Sequence, residues 1–228
     1  MSEAPFTLSE TRHAGGDALG LHRHRDAYLA LPLDGAYEES SVDGRFACAP
    51  GVAVLHGEWH AHADRFGAGG GLVLNISLPR GVATAAAGSA LIAVDIVEVE
   101  KLARRSPRQA AGAVLEERRA AAPPQSETGD WLDRFAETLR RAPQARIAAL
   151  AVSLGVSREH AARRMKQRLG VEPSALRGEM RFRLAAELLG RGEKPAAAAL
   201  AAGYADQSHM TRDMKARAGA TPRALRRA

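Results

Sequence analysis

Residues 160–177 and 209–226, offset by 49, are identical at ten of eighteen positions. The matches are His160/His209, Arg163/Arg212, Met165/Met214, Lys166/Lys215, Arg168/Arg217, Gly170/Gly219, Pro173/Pro222, Ala175/Ala224, Leu176/Leu225 and Arg177/Arg226. An Ala- and Arg-rich composition produces some coincidences, but not an aligned His, Met, Gly and Pro. The chain therefore contains two copies of one supersecondary unit, and any fold it adopts must accommodate both.

Each copy reads helix, tight turn, helix. In the first, Pro143 opens a helix through Ile147, Leu150 and Ala151 that stops at Gly155-Val156. Ser157 then caps a second helix that runs to about Leu169 and ends at Gly170. In the second, Pro195 opens an Ala-rich helix, Gly203-Tyr204 breaks it, and Asp206 caps a helix ending near Gly219. Ala151 and Ala199, each four places before the turn glycine, let the paired helices cross closely. That is the helix-turn-helix arrangement, whose second helix enters the DNA major groove.

Helical spacing puts Ala161, Met165 and Leu169, and likewise Met210, Met214 and Ala218, on inward stripes. The outward face of the first unit carries Ser157, Arg158, Glu159, Ala162, Arg163 and Lys166. The second carries Gln207, Ser208, Thr211, Arg212 and Lys215, with His209 at the edge. Arg reads guanine and Gln reads adenine bidentately, while Ser, Lys and helix N-termini hold phosphates. Any one of these side chains is equally an ordinary solvated residue, so the argument rests on the set recurring at two sites. Between the units, Glu172 to Leu189 is apolar-periodic and predicts a rigid connecting helix. It would hold the recognition helices roughly one DNA turn, on the order of 34 Å, apart.

Charge divides the 228 residues in the same way. Residues 1–144 hold 15 Lys/Arg against 19 Asp/Glu, net −4, whereas residues 145–228 hold 17 against 7, net +10. A basic back half points to a polyanion as partner, here double-stranded DNA. A single cysteine, Cys48, excludes an internal disulfide framework and a Cys-based zinc site. No signal peptide or bilayer-spanning run is visible, so a cytoplasmic protein without membrane contact is expected.

The front reads as β. Ala27–Leu33 is an apolar run ending near Gly35, Asp43-Gly44 is a hairpin turn before Phe46 and Cys48, and Pro50-Gly51 precedes the alternating Val52 and Val54. Gly69-Gly70-Gly71 reads as a loop before a strand over Leu72–Leu78. From Asp95 the pattern turns helical, with Ser106-Pro107 as a helix start. The stretch Pro123 to Gly129 is the best linker, and Asp130 can cap a helix carrying Trp131 and Phe135.

The segment from Gly203 to Pro222, with the upstream Leu154-Gly-Val-Ser-Arg-Glu-His-Ala-Ala-Arg-Arg-Met-Lys166, resembles the signature of AraC-type transcriptional regulators. The resemblance covers about residues 131–228. It departs at Met165 and Met214, where the family usually has Phe, and at Ala161, where Leu is common. It implies a seven-helix DNA-binding domain and sequence-specific promoter binding.

Many regulators of this type carry an N-terminal cupin-like barrel that binds a small molecule. His22-Arg-His24 with Gly35 resembles the first cupin motif, and Gly57-Glu-Trp-His60 the end of the second. Tyr28 stands at the usual Glu position and Leu55 at the usual Pro, so the carboxylate ligand of metal-binding cupins is missing. Three readings stay open. One is an effector pocket of His22, His24, Tyr28 and His60 without metal. Another is a three-His metal site with His56 or His62 as a fourth ligand. The third is ordinary surface and core histidines. Trp59 is read as packing and Cys48 as a buried apolar residue. No nucleophile elbow, phosphate-cradling loop or paired-carboxylate signature is present.

The expectation is an α+β chain. A cupin-like, ligand-sensing small β-barrel (1–94) leads through a helical connection and linker (95–124) to an all-α domain with two helix-turn-helix units (125–228). The expected protein is a DNA-binding regulator, not an enzyme, with no cofactor, an unidentified small-molecule effector, and a homodimer that no zipper-like heptad supports. The alternative is a metal-dependent cupin enzyme with a helical appendage.

Overall fold

The computed structural model describes residues 6–85, 88–120 and 130–226. The chain divides into two compact units, one up to Pro123 and one from Pro124.

The first unit is an antiparallel sheet with two helices. Its strands are β1 (Thr7–His13), β2 (Ala18–Arg23), β3 (Tyr28–Ser41), β4 (Gly44–Cys48), β5 (Val52–His56), β6 (Ala61–Ser77) and β7 (Ser89–Ala93). The order is β1-β6-β3-β5-β7, with β2 added to β6 and β4 to β3. Among the described residues no ladder joins β1 to β7.

Two strands are longer than the sequence suggested. β3 continues through Gly35 to Ser41, and β6 runs straight through Gly69-Gly70-Gly71, which is therefore not a loop between strands. The β3–β6 register explains both. Pairing shifts between Pro32 and Asp34 and again between Gly35 and Tyr37, where Gly35 opposes Gly71 but Tyr37 opposes Phe66. The extra residues of β6 form a bulge, and Gly70 (φ 70°) carries it in a backbone region that side chains disfavour. A strand's side chains alternate faces, so a bulge resets which residues point inward. His62, Asp64 and Phe66 line the inner face before the glycines, and Val73, Asn75 and Ser77 line it after them.

The outer face is covered by α1 (Ile96–Arg105) and α2 (Pro107–Ala120). Asp95 caps α1 and Ser106 accepts from the Gln109 amide at the start of α2. Ala103, Ala110, Ala111 and Val114 are buried with Leu29, Leu31, Leu55, Leu74 and Ile76 in one cluster. These helices are thus part of the first unit's core, not a connection beside it. A second cluster of Ala30, Tyr37, Cys48, Val54, Phe66 and Val73 lies on the inner face.

The second unit contains, among the described residues, seven helices: α3 (Trp131–Arg141), α4 (Ile147–Ser153), α5 (Arg158–Leu169), α6 (Pro173–Gly190), α7 (Pro195–Ala201), α8 (Gln207–Ala218) and α9 (Pro222–Arg226). The caps fall where the side-chain chemistry predicts. Asp130, Ser157 and Asp206 accept backbone N–H groups, and Gly170 and Gly219 end α5 and α8 in the left-handed region. α6 packs against α3, α5, α7, α8 and α9, burying Leu176, Phe182, Ala185 and Leu189. One expectation fails: α4 begins at Ile147, not at Pro143. The Pro143 and Ala145 carbonyls instead accept from Arg181 Nε (3.0 Å) and Arg177 (3.4 Å) of α6, which satisfies them outside any helix. No described helix is long and apolar enough to cross a membrane.

Candidate DNA-binding face and ligand cavity

The repeat is physical as well as textual. Met165 and Met214 are both fully buried, as are Ala161 and Met210 beside them. Arg168 reaches Asp130 (3.0 Å) and Asp133 (3.2 Å), and its counterpart Arg217 reaches Asp213 (2.9 Å) and Glu179 (3.3 Å). Arg177 and Arg226 each reach back to a carbonyl just before a helix-turn-helix, those of Ala145 and Gly192. These matched arginines are therefore committed to holding the helices of the second unit to one another.

The other cations are not. Arg158, Arg163 and Lys166 on α5, and Arg212 and Lys215 on α8, are exposed and have no ion-pair partner among the described residues. Ser157, Glu159, Gln207 and Ser208 are exposed at the two helix starts, while Ala162, His209 and Thr211 are half-buried. Four of these residues also have local contacts, Arg163 lying 3.2 Å from His160 Nδ1. Ser157 Oγ accepts from the His160 amide (3.1 Å), the Thr211 hydroxyl donates to the Gln207 carbonyl (2.8 Å), and the His209 ring lies 5.3 Å edge-on from Tyr204. Each capped helix thus presents exposed cations without an ion-pair partner among the described residues, the side chains that hold phosphate and reach base edges.

The first unit has a half-open cavity of about 430 Å³ on the inner face of its sheet. His22, His24, Tyr28, His56 and His62 line it with Glu39, Asp64, Phe66, Asn75 and others. Three of the four expected pocket residues are there, but His60 is not. Buried behind the wall, its Nε2 lies 2.7 Å from Ser89 Oγ, and the Ser89 hydroxyl donates to Glu39 Oε1 at 2.6 Å. His56 Nε2 donates to the other Glu39 oxygen at 2.6 Å. Burial alone would raise the Glu39 carboxyl, but the hydrogen bond from His56 and the nearby His60 imidazole prevail and hold it well below the ordinary carboxylate range.

A buried carboxylate is thus present at the cavity wall, supplied from the far end of β3 and not at the motif position that Tyr28 holds. The sequence offered one signal for it: Tyr37 and Glu39 alternate with exposed Glu38, which places a charged side chain on the inward row.

Burial dominates the remaining titrations. Desolvation on the cavity side, with His22 beside it, depresses His24 to about 4 although the residue is exposed on its other side, and burial helped by His56 depresses His62 to about 2. Burial raises Asp64 to about 7, assisted by Glu39, and pushes the Tyr28 hydroxyl well above its usual value. Around neutral pH both imidazoles are uncharged. The Tyr28 hydroxyl lies 3.3 Å from His62 Nε2, and Asp64 lies 3.5 Å from the same atom. His56 Nδ1, His62 Nδ1 and Asp64 Oδ1 are buried without a partner among the described residues. Such polar atoms are uncommon in folded interiors.

Residues 150–228 match the family model described as a helix-turn-helix domain. No curated protein sequence matches the chain. Among solved structures, ToxT from Vibrio cholerae aligns over 96% of this chain and 97% of its own at 12% identity and a TM-score of 0.44. The C-terminal domain of AraT, a response regulator from Geobacillus stearothermophilus, aligns over 45% and 88% at 25% identity and 0.42. An AraC-type regulator from Chromobacterium violaceum aligns over 42% and 89% at 26% identity and 0.39. The family match falls on the duplicated, capped helix pairs, and residues 150–228 of this chain form a helix-turn-helix domain.

Proposed function

We propose that the chain is a one-component transcription regulator, in which α5 and α8 read adjacent major-groove sites and the cavity of the first unit binds a small-molecule effector. The observation that carries this reading is the sorting of the basic side chains. Arginines at repeat positions 168/217 and 177/226 are tied down, whereas Arg158, Arg163, Lys166, Arg212 and Lys215 stand exposed without an ion-pair partner among the described residues on two capped helices, Arg163 touching only the His160 ring nitrogen at 3.2 Å. Of the remaining face, Gln207, Ser208, His209 and Thr211 contact the second half-site, and Ser157, Glu159 and Ala162 the first. A cytoplasmic location follows from the need to reach promoter DNA.

Glu39 is held ionised, with both oxygens accepting from His56 and Ser89, so it is a poor general base. The effector alters promoter occupancy only if it binds one state of the protein more tightly than another.

The test is selection of random duplex DNA by the full-length protein near physiological salt. Enrichment of two short motifs about one helical turn apart supports the reading, together with an affinity that falls steeply with salt. Binding without sequence enrichment would reduce the protein to an architectural DNA binder. No binding at all would overturn the proposal.

A further inference from the structure

His22 and His62 are register partners across the β2–β6 ladder, and His24 follows two residues after His22, just beyond the strand end. The three rings gather at the cavity wall. Centroids are 4.4 Å apart for His22–His62, 4.9 Å for His22–His24 and 5.3 Å for His24–His62. One nitrogen from each ring lies within 4.8 Å of those of the other two. A tetrahedral ion with metal–nitrogen bonds of about 2.0–2.1 Å needs these nitrogens roughly 3.3 Å apart. Small rotations of half-buried His22 and exposed His24 close that gap.

Hydrogen bonding leaves each ring a nitrogen for the task. His22 Nδ1 lies 2.9 Å from the Gly20 carbonyl, so Nε2 is left over, the arrangement by which a backbone acceptor fixes the tautomer of a ligating imidazole. His62 Nε2 faces Tyr28 and Asp64, and its Nδ1 is buried without a partner. A second cluster, Glu39, His60 and His62, also brings ligand atoms within 4.8 Å. There, however, Glu39 already accepts from His56 and Ser89, and His60 faces Ser89 and Asp43. An ion at that place would have to dismantle a satisfied network, whereas one on His22, His24 and His62 would complete an unsatisfied one.

From this geometry we propose that the first unit holds a divalent late first-row transition-metal ion on His22, His24 and His62. The ion's remaining position is open to the cavity, for water or a donor atom of the effector. The inference rests on the cavity being a ligand site and names the class of ligand. Three imidazoles with no carboxylate in the set suit zinc, nickel, copper or iron and disfavour magnesium and calcium. The set differs from the one expected on the motifs, because His62 takes the place of His60.

The test uses untagged full-length protein, stripped with chelator, loaded with zinc and dialysed against zinc-free buffer. The result expected is about one zinc retained per chain, a raised melting temperature, and visible absorption bands of a nitrogen-ligated site when cobalt replaces zinc. His24→Ala, at an exposed position, and His22→Ala should each weaken zinc binding at least about tenfold with unchanged circular dichroism. No retained zinc would overturn the site. So would retention that survives both substitutions but is lost in Glu39→Gln, which would move the ion to the other cluster. DNA selection on the same samples separates the two readings. Sequence-specific DNA binding by a chain that never retains zinc overturns the metal site and leaves the regulator standing. Retained zinc in a chain that selects no DNA sequence supports the site and overturns the regulator.

Discussion

Two arginines five residues apart on α8 should behave in opposite ways. Arg212 is exposed, sixth of the twelve residues of the helix, and has no ion-pair partner among the described residues. Arg212→Ala removes nothing from the folded unit, so its stability should move by no more than about 0.5 kcal/mol. Its cost should appear on DNA. Loss of a bidentate base contact is worth about 1–3 kcal/mol, which is roughly a five- to 150-fold rise in Kd on the selected site, with discrimination relaxed at one base pair. If Arg212 holds only phosphate, the loss is instead uniform across sequences and the salt slope falls by about one.

Arg217 faces the other way. Its guanidinium contacts Asp213 (2.9 Å) and Glu179 (3.3 Å), and the Glu179 side chain is only 5% exposed. Exposed pairs are worth up to about 1 kcal/mol, whereas breaking a fully buried one costs about 3–5 kcal/mol. Arg217 is 27% exposed and Glu179 keeps Arg183 at 3.4 Å, which places Arg217→Ala at the lower end, about 1–2 kcal/mol. For a unit of this size that lowers the melting temperature by roughly 4–16 °C, while DNA affinity below the melt changes less than about twofold. Fluorescence anisotropy at several salt concentrations and thermal melts followed by circular dichroism measure both quantities. A stable Arg217→Ala that has lost DNA, or a destabilised Arg212→Ala that binds normally, would refute the sorting of cations on which the proposed function stands.

Three further outcomes test the first unit. Glu39→Gln leaves one oxygen and an NH₂ group facing the His56 and Ser89 donors in a fully buried site, so it should cost about 2–4 kcal/mol in urea denaturation, and a loss under 0.5 kcal/mol would show the network to be incidental. Gly35→Ala would drive a Cβ into the Gly70 carbonyl and to 2.8 Å from the Gly71 Cα at φ 70°; a destabilisation of at least about 2 kcal/mol is expected, and a neutral variant would contradict the bend described for β3 and β6. Acid should weaken metal-free protein: His24 and His62 titrate lower folded (about 4 and 2) than unfolded (6.5), so unfolding takes up protons and stability falls as pH drops below 6.5. Asp64, raised to about 7, opposes this, so Asp64→Asn should steepen the loss seen in denaturation midpoints between pH 6.5 and 5.

What the sequence made legible follows from how local each signal is. Caps at Ser157 and Asp206, the terminating glycines at 170 and 219, and the buried methionines all act within one helical turn, and duplication displayed each of them twice. The exception, Pro143, misled because its role is tertiary: its carbonyl is held by Arg181, 38 residues away. Sheet features are non-local by nature. Three consecutive glycines are the local signature of a loop, and only the partner strand, with Gly35 set against Gly71, turns them into a bulge.

The cavity was half legible for the same reason. His22 and His24 declare a shared face by being two residues apart, and the motif spacing of Gly57 to His60 nominated His60 as their partner. A strand's inward set, however, is decided by the ladder it joins. β6 enters at Ala61 and pairs Arg23 with Ala61 and His22 with His62, which brings His62 to the other histidines, while His60, still in the turn, is drawn behind the wall by Ser89 and Asp43. Two residues of displacement thus exchange a ligand for a structural buttress. They also free Glu39, fifteen residues beyond His24, to balance the buried imidazoles from behind rather than fill the carboxylate position that Tyr28 vacates. Tyr28 keeps a different part in that wall: its ring stacks on His56 at 4.3 Å and its hydroxyl faces His62. The same imidazoles that made the front of this chain look like an incomplete metal motif are, once the register is known, a different set around a different opening.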